Sequence, residues 1–203
     1  MNQLLLETIR CEDGSLQNLE WHQQRVERSC HILFGAGKEI NFQKIHIPPE
    51  ANTGLFKCRI LYGRRIHEVM FAPYSIRPVK KLKLVQADGL EYSHKYARRT
   101  RIDALFAQRG QADDILMVIN GLIADTSYAN VAVFDGSDWL TPATPLLAGT
   151  RRASLLAAKK MIPADIPPHQ LANFEEIRLI NAMMGLEEGP RLHPDDVIPS
   201  FPK

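Results

Sequence analysis

Five short segments of the chain carry side chains whose chemistry could serve a single cofactor. In chain order they are residues 22–25, 92–99, 125–130, 147–151 and 181–184. The second contains Lys95, whose amine can form a Schiff base, and the third contains Asp125, whose carboxylate can pair with a ring nitrogen. Arg25 and a Gly-Thr turn can donate hydrogen bonds to a dianionic phosphate. Pyridoxal phosphate needs all of these groups, and the ordered set predicts a site for it.

Each of these residues, taken alone, also has a simple structural interpretation. Lys95 can be a solvated surface lysine, since long cationic side chains keep their charged ends in water. Arg25 can pair with a glutamate on the surface of its own helix, and Asp125 can cap a turn after a hairpin strand. Thr150 can be the N-cap of the helix that follows it. The prediction therefore depends on the order of the whole set.

The composition is that of a globular protein. The chain has 203 residues, of which 45% are hydrophobic and 24% charged, and its formal net charge is +2. This length suffices for one large domain or two small ones. The basic residues are scattered among acidic ones, which argues against the dense patch of a nucleic-acid-binding surface and favours small anionic ligands.

The cysteines and the apolar runs bear on the cellular compartment. Cys11, Cys30 and Cys58 form no CxxC pair, so we expect buried free thiols and neither a disulfide framework nor a metal site. No apolar run approaches the ~20 residues that span a bilayer. The sequence therefore predicts a cytoplasmic protein without a membrane segment.

The spacing of apolar residues predicts two α+β units. A helix is expected over residues 16–33, with Ser15 as its N-cap. Short β-strands are expected over residues 56–62, 66–71 and 82–86. A small N-terminal α+β domain would then span residues 1–85, and a β-rich cofactor domain would span residues 86–203.

The second half has clear turn signals. Asn120-Gly121 and Asp135-Gly136 each follow an apolar run and predict hairpin turns. A helix over residues 150–160 and a buried strand over residues 177–180 follow. The proline-rich residues 190–202 are expected to form an extended tail.

The ordered motifs resemble the class IV aminotransferases, the fold-type IV pyridoxal-phosphate enzymes, and among them the 4-amino-4-deoxychorismate lyases. The stretches that carry the resemblance are residues 6–10, 22–25, 95, 112–116, 125–130, 148–151 and 181–184. The resemblance implies a two-domain α+β fold like that of D-amino-acid aminotransferase, with a shortened N-terminal domain. It also implies a homodimer that binds pyridoxal 5'-phosphate and a small-molecule amino substrate, with no nucleic acid or membrane as a partner.

The resemblance assigns catalytic roles to Lys95 and Asp125. Lys95 would bind the cofactor through its amine and later move the substrate proton. Asp125 would face the pyridine nitrogen, at a position where the family usually has glutamate. Its side chain is one methylene shorter, so this contact would need a backbone shift or a water.

Five further residues would bind the cofactor or support its binding. Arg25, in a His-x-x-Arg motif, would bind the phosphate, together with a backbone donor of Gly149 and the hydroxyl of Thr150. Asn181 and Ala182 would form a second turn near the phosphate.

Two arginines are candidates for binding the substrate. Arg59, on a predicted strand, could bind a substrate carboxylate through both ends of its guanidinium, or it could be a strand-surface residue. Arg98 occupies a position where the lyases tend to carry asparagine.

The resemblance implies one activity and leaves others open. The first is elimination of pyruvate from 4-amino-4-deoxychorismate to give 4-aminobenzoate, a step of folate biosynthesis, and the Asn-Ala-Met-Met turn at residues 181–184 favours it. The alternative is an amino-acid aminotransferase of the branched-chain or D-amino-acid kind. A protein that binds the cofactor without turnover is the third alternative.

Overall fold

The computed structural model describes residues 3–35 and 40–199 of the chain. The protein forms two compact units. The first comprises residues 1–75 and 94–98, and the second comprises residues 76–93 and 99–203. The boundary predicted after residue 85 lies further along the chain than this division, because the strand over residues 82–86 pairs within the second unit.

The first unit contains one α-helix and a four-stranded antiparallel sheet. Its elements are β1 (Leu5–Glu12), β2 (Ser15–Leu16), α1 (Leu19–Phe34), β3 (Leu55–Tyr62) and β4 (Ile66–Pro73), with the sheet order β2-β1-β3-β4. Asp13 and Gly14 have positive φ angles of 46° and 73° and close the hairpin between β1 and β2. Ser15 therefore belongs to a strand, and α1 begins after Asn18 instead of at the predicted N-cap.

Alternation along β1 and β3 builds the core of the first unit. Leu5 and Ile9 of β1 share a sheet face with Cys58 and Ile60 of β3, and α1 packs on this face through Val26 and its neighbours. The three cysteines are free and buried, as predicted. The central position of this face on β1, between Leu5 and Ile9, is occupied by a glutamate.

The second unit is built on a nine-stranded sheet. Its elements are β5 (Leu82–Gln86), α2 (Thr100–Phe106), β6 (Asp114–Ile119), β7 (Leu122–Thr126), β8 (Asn130–Phe134), β9 (Trp139–Pro142), α3 (Thr150–Ala157), β10 (Ile162–Ala164), β11 (Glu176–Ile180), β12 (Arg191–Leu192) and β13 (Val197–Ile198). The strand order is β10-β9-β8-β7-β6-β5-β13, while β11 pairs with β8 and β12. Leu116, Val131 and Ile177 are among the buried residues of its main core.

The two predicted turns join neighbouring strands. Asn120 and Gly121, with φ angles of 52° and 78°, connect β6 to β7 as a two-residue hairpin turn. The second turn, which contains Asp135 and Gly136, is a longer loop between Phe134 of β8 and Trp139 of β9. Local sequence was sufficient here because positive φ favours Asn and Gly strongly.

The C-terminal segment is not the extended tail that its prolines suggested. β13 pairs in parallel with β5, and Pro194 is buried. Proline cannot donate to a strand ladder, but Val197 and Ile198 retain their backbone N–H groups and can pair. The prediction of a tail is wrong for this part, and residues 200–202 lie outside the described residues.

In the part of the chain that the structure describes, no helix is long and apolar enough to cross a membrane. The same residues contain no group of three or more His, Cys, Asp or Glu side chains arranged to hold a metal ion.

Candidate active site

Lys95 lies on a segment that extends the edge of the first unit's sheet. The backbone N–H of Leu6 donates to the carbonyl oxygen of Lys95 at 2.9 Å, and the N–H of Ala97 donates to Leu4 at 2.9 Å. Between them, Leu5 and Tyr96 form an antiparallel bridge. These contacts fix the backbone of the half-buried Lys95 against β1.

Glu7, which follows Leu6 in β1, anchors a buried charge cluster. Glu7 is 0% exposed, and its two carboxylate oxygens accept hydrogen bonds from Nε and Nη2 of Arg25 at 2.8 and 2.6 Å. Nδ1 of His22 lies 2.6 Å from the same carboxylate. His22 and Arg25 are three residues apart on α1, so both face the same side of the helix. Arg25 is thus not the surface arginine of the simpler interpretation.

The pKa values of this cluster follow from its geometry. Burial alone would raise the pKa of Glu7, but Arg25 and His22 outweigh it and lower this pKa to about 2. Burial lowers the pKa of His22; Glu7 opposes the shift, and the charges of Arg25 and Lys95 add to it. Glu7 and Arg25 therefore carry opposite charges at neutral pH, and Lys95 lies within electrostatic range of their cluster.

Asp125 lies at the end of β7 in the second unit, with both carboxylate oxygens bound by the protein. It is 5% exposed; Oδ1 accepts from Nδ2 of Asn130 at 2.8 Å, and Oδ2 accepts from the backbone N–H of Leu147 at 2.9 Å. Nδ2 of Asn130 also donates to the carbonyl oxygen of Leu147 at 2.9 Å. Asp125 is therefore more than the turn residue of the simpler interpretation, since it joins two strands to the loop before α3.

Burial raises the pKa of Asp125 to about 6, against the opposing effects of Leu147, Asn130 and Arg152. Arg152, in the first turn of α3, is itself buried and donates to Pro142 O at 2.7 Å and to Thr141 Oγ1 at 3.3 Å. Burial lowers the pKa of Arg152, and the charge of Asp125 opposes that shift. The carboxylate thus stays mostly ionised at neutral pH.

The predicted Gly-Thr turn forms the start of α3. Gly149 is the N-cap, and the buried Thr150 is the first helical residue, so the alternative in which Thr150 is the N-cap is wrong. A Cβ atom at position 149 would clash with Oδ1 of Asn130, so any residue other than glycine there requires the Asn130 side chain to move. A helix start of this kind presents backbone N–H groups that suit an anion.

Asn181 and Ala182 form a tight turn at the end of β11. Asn181 and Met184 exchange backbone hydrogen bonds at 3.0 and 3.1 Å, and Oδ1 of Asn181 accepts from the N–H of Met183 at 2.8 Å. The preceding residue, Ile180, is the cross-strand partner of Asn130. The second unit thereby brings Asp125, Gly149, Thr150 and the Asn181 turn close to Asn130.

The two substrate candidates are placed differently. Arg59 pairs across the strands with Thr8, so it lies on the sheet face opposite Glu7 and Arg25. Arg98 is exposed. Their roles in binding a substrate stay predictions.

Three residues of these clusters were not predicted from the sequence: Glu7, Asn130 as a hydrogen-bond donor, and Arg152. One local signal was present for the first, because Glu7 interrupts the apolar alternation of Leu5, Ile9 and Cys11. A charged residue at a core-facing position of a strand indicates a buried partner. Asn130 and Arg152 had no comparable signal, since their partners come from other elements.

The donor set fits pyridoxal phosphate. The first unit offers the amine of the half-buried Lys95 and a guanidinium on Arg25 that is held by Glu7. The second unit offers a buried carboxylate on Asp125 and a helix start at Gly149 and Thr150. An amine, a carboxylate that stays ionised near neutral pH and donors for a phosphate are the groups that this cofactor requires.

Comparison with known proteins relates the chain to a family. The family model for aminotransferases of class IV matches residues 68–187. An uncharacterized protein of Haemophilus influenzae is 40% identical over 185 residues, covering 90% of this chain and 98% of that protein. The structure of a proposed 4-amino-4-deoxychorismate lyase from Haemophilus somnus is 34% identical, with a TM-score of 0.77 and coverage of 92% of this chain and 99% of that one.

A more distant structure shares the fold. A proposed amino-acid aminotransferase from Mesorhizobium loti has a TM-score of 0.80 at 21% identity, covering 96% of this chain and 99% of that one. At this identity the likeness concerns the fold alone.

Proposed function

We propose a lyase activity for this chain, which belongs to the class IV aminotransferase family of pyridoxal-phosphate-dependent enzymes and has the fold-type IV architecture. The reaction is conversion of 4-amino-4-deoxychorismate to 4-aminobenzoate and pyruvate. The observation that carries the proposal is the 34% identity, over nearly the whole length of both chains, to the Haemophilus somnus protein proposed to have this activity. The Asn-Ala-Met-Met turn at residues 181–184 supports it.

Lys95 is the proposed acid–base residue. The substrate amine would displace the Lys95 amine, which then takes the proton from C4 of the substrate. Pyridoxal phosphate, when bound, supplies the electron sink for this step. Departure of the enolpyruvyl group would aromatise the ring, and the proton held by Lys95 would be returned as enolpyruvate becomes pyruvate. The Lys95 amine would then displace the amine of 4-aminobenzoate and release this product. The hydrogen bond from the N–H of Leu6 to the carbonyl oxygen of Lys95 holds the backbone of this residue in place.

Asp125 is the proposed partner of the pyridine nitrogen. As a carboxylate it would favour the protonated nitrogen, which makes the ring a stronger electron acceptor. Arg25, held by Glu7, is proposed to bind the phosphate, with Gly149 and Thr150 as further donors and the Asn181–Ala182 turn nearby. Arg59 and Arg98 remain the proposed contacts for substrate carboxylates.

An amino-acid aminotransferase is the second candidate, because the family itself includes that activity. The same lysine would then move a proton between the amino acid's Cα and the cofactor carbon. We also propose that the protein acts as a homodimer in folate biosynthesis, on a small-molecule amino substrate, as the family resemblance implies, and that it is cytoplasmic, as its sequence predicts.

One assay separates these activities. The protein loaded with pyridoxal phosphate is incubated with 4-amino-4-deoxychorismate and, separately, with L- or D-amino acids plus 2-oxoglutarate. We expect 4-aminobenzoate in the first reaction, measured by its fluorescence after separation, and no keto-acid exchange in the second. The Lys95→Ala variant should be inactive in both. Keto-acid formation without 4-aminobenzoate would overturn the lyase proposal in favour of the transaminase.

A further inference from the structure

We propose that Asn130 is a positioning residue that couples Asp125 to the loop of residues 147–150, so that both move as one piece. The loop contains the Gly149-Thr150 turn at the start of α3. In the proposed function, Asp125 meets the ring nitrogen of the cofactor and this turn meets its phosphate. The catalytic meaning of the coupling rests on that proposed function, whereas the coupling itself does not.

The first observation is that a single side-chain nitrogen bridges the two parts. Nδ2 of Asn130 donates to Oδ1 of Asp125 at 2.8 Å and to the carbonyl oxygen of Leu147 at 2.9 Å. Leu147 completes the triangle by donating its N–H to Oδ2 of Asp125 at 2.9 Å. A shift of the loop therefore changes the hydrogen bonds at both carboxylate oxygens.

The second observation is a close approach on the other side of the same amide. A Cβ atom at position 149 would clash with Oδ1 of Asn130 and would lie 3.2 Å from its Cγ. The amide of Asn130 thus fills the space that any other residue at position 149 would need. Asn130 contacts the loop at both Leu147 and Gly149, and neither contact depends on a charge.

The chemistry of the position explains why an amide is present. Asn130 must donate to two acceptors, the Asp125 carboxylate and the Leu147 carbonyl. A carboxylate at position 130 would place acceptors against acceptors and add a like charge beside Asp125. The backbone of Asn130 is held on both sides, because this buried residue is the cross-strand partner of Asp125 on β7 and of Ile180 on β11. The position of its side-chain amide is therefore restricted.

The charges that surround Asp125 are separable from this coupling. Arg152 acts on Asp125 from α3, but its hydrogen bonds go to Thr141 and Pro142 of β9. On the neighbouring strand β6, Asp114 is paired with Arg77. Substitution of Asn130 or Gly149 leaves these charges in place, so a change in the titration of Asp125 reports on its hydrogen bonds with Asn130 and Leu147.

The test is a double-mutant cycle on the full chain, with Asn130→Ala, Gly149→Ala and the double variant. The measurement is the pH titration of the Asp125 carboxyl carbon by NMR. Loss of the Asn130 donor should raise the titration midpoint by about one pH unit. Gly149→Ala, which displaces the amide, should raise it to a similar extent, and the double variant should shift it no further than Asn130→Ala alone.

Gly63→Ala is the matched control, because a Cβ there meets only ordinary contacts at 3.4 Å and beyond, in the first unit. It should leave the midpoint unchanged and combine additively with Asn130→Ala. The proposal would be overturned if Gly149→Ala shifted the titration midpoint of Asp125 by the same amount in the wild-type and Asn130→Ala backgrounds. If Asn130→Ala does not fold, Asn130→Ser takes its place, and a folded Gly149→Ala protein with an unchanged midpoint is by itself contrary evidence.

A second arm separates this proposal from the proposed function. Binding of pyridoxal phosphate by the same variants is measured by absorbance titration, with Gly63→Ala as the control. We expect Gly149→Ala to weaken binding at least about tenfold and to do so less in the Asn130→Ala background. If the variants show non-additive shifts of the Asp125 titration but the wild-type protein binds no pyridoxal phosphate, the coupling is supported and the proposed function is refuted. If the wild-type protein binds pyridoxal phosphate but the titration shifts of the variants are additive, the coupling is refuted and the proposed function is kept.

Discussion

Glu7 is a fully buried carboxylate whose charge depends on two residues of α1. Removal of one partner from such a pair leaves the other charge buried and uncompensated, which typically costs about 3–5 kcal/mol. We therefore expect Glu7→Gln to lower the free energy of unfolding by roughly this amount at pH 7, measured by urea denaturation. The control Glu12→Gln breaks a pair with Arg10 at a half-exposed glutamate, and it should cost less than about 1 kcal/mol. Equal effects of the two substitutions would contradict the assignment.

The same variant has a predicted pH dependence. The pKa of Glu7 is about 2 in the folded protein, below the ordinary value of 4.5, so the folded state holds fewer protons than the unfolded state in this window. The stabilisation is fully present above pH 4.5 and is lost as the pH falls toward 2. The stability difference between wild type and Glu7→Gln should shrink across this window. A difference that stays constant from pH 5 to 2.5 would show that the fold does not lower the pKa of Glu7.

Asp125 makes a prediction about activity. Its pKa of about 6 means that the carboxylate takes up a proton as the pH falls through that value, so the turnover should decline there. Asp125→Asn should retain the cofactor, lose about 10²-fold in kcat and lack this acidic limb, because no carboxylate remains to titrate. The measurement is kcat and kcat/KM between pH 5 and 8, with the exposed Asp138→Asn as the control. An Asn variant with wild-type turnover would make Asp125 a structural residue only.

Replacing Asp125 with glutamate restores the residue that the family usually has. Both oxygens of Asp125 already accept bonds from Asn130 and Leu147 within a buried site. An added methylene would push the carboxylate against these donors, so Asp125→Glu should lower activity. Undiminished kcat in Asp125→Glu, measured over the same pH range, would instead indicate that a water fills the gap left by the shorter side chain.

At the scale of elements, β13 closes one side of the second unit's sheet by pairing in parallel with β5. A chain that ends at His193 lacks this strand, and the amides of β5 should then exchange with solvent about tenfold faster. Hydrogen–deuterium exchange measured by mass spectrometry tests this, and β3 of the first unit should be unchanged. A chain that ends at Pro199 keeps β13 and is the matched control. Equal protection of β5 in both chains would mean that β13 does not support the sheet.

At the scale of the whole molecule, we expect a homodimer, as the family resemblance implies. β4 is an edge strand of the first unit's sheet, and Val69 and Met70 on it are 37% and 42% exposed. Exposed apolar side chains on an edge strand favour association with another chain. Sedimentation at micromolar concentration should give twice the chain mass. Met70→Lys should weaken the dimer more than Ile162→Lys, a site of similar exposure in the second unit. A monomer with full activity would contradict both expectations.

The sequence by itself predicted the cofactor and much of the local structure. Lys95, Asp125 and the Gly149-Thr150 turn were recognised from residue type and order, and the family match supports the cofactor that they predicted. The turn at Asn120-Gly121 was predicted because its backbone requirement is local. Helix α1 was located by its periodicity, although its start was misplaced by the hairpin that precedes it.

Only the tertiary structure decided which residues face one another. Arg25 reaches Glu7 across 18 positions of sequence, and Asp125 reaches Leu147 across 22. The first contact gives Arg25 a carboxylate partner in addition to the phosphate that the sequence predicted for it. The second contact, together with burial, sets the pKa of Asp125. Propensity and periodicity describe neighbours along one element, whereas burial and the pairing of distant strands arise only when the chain packs.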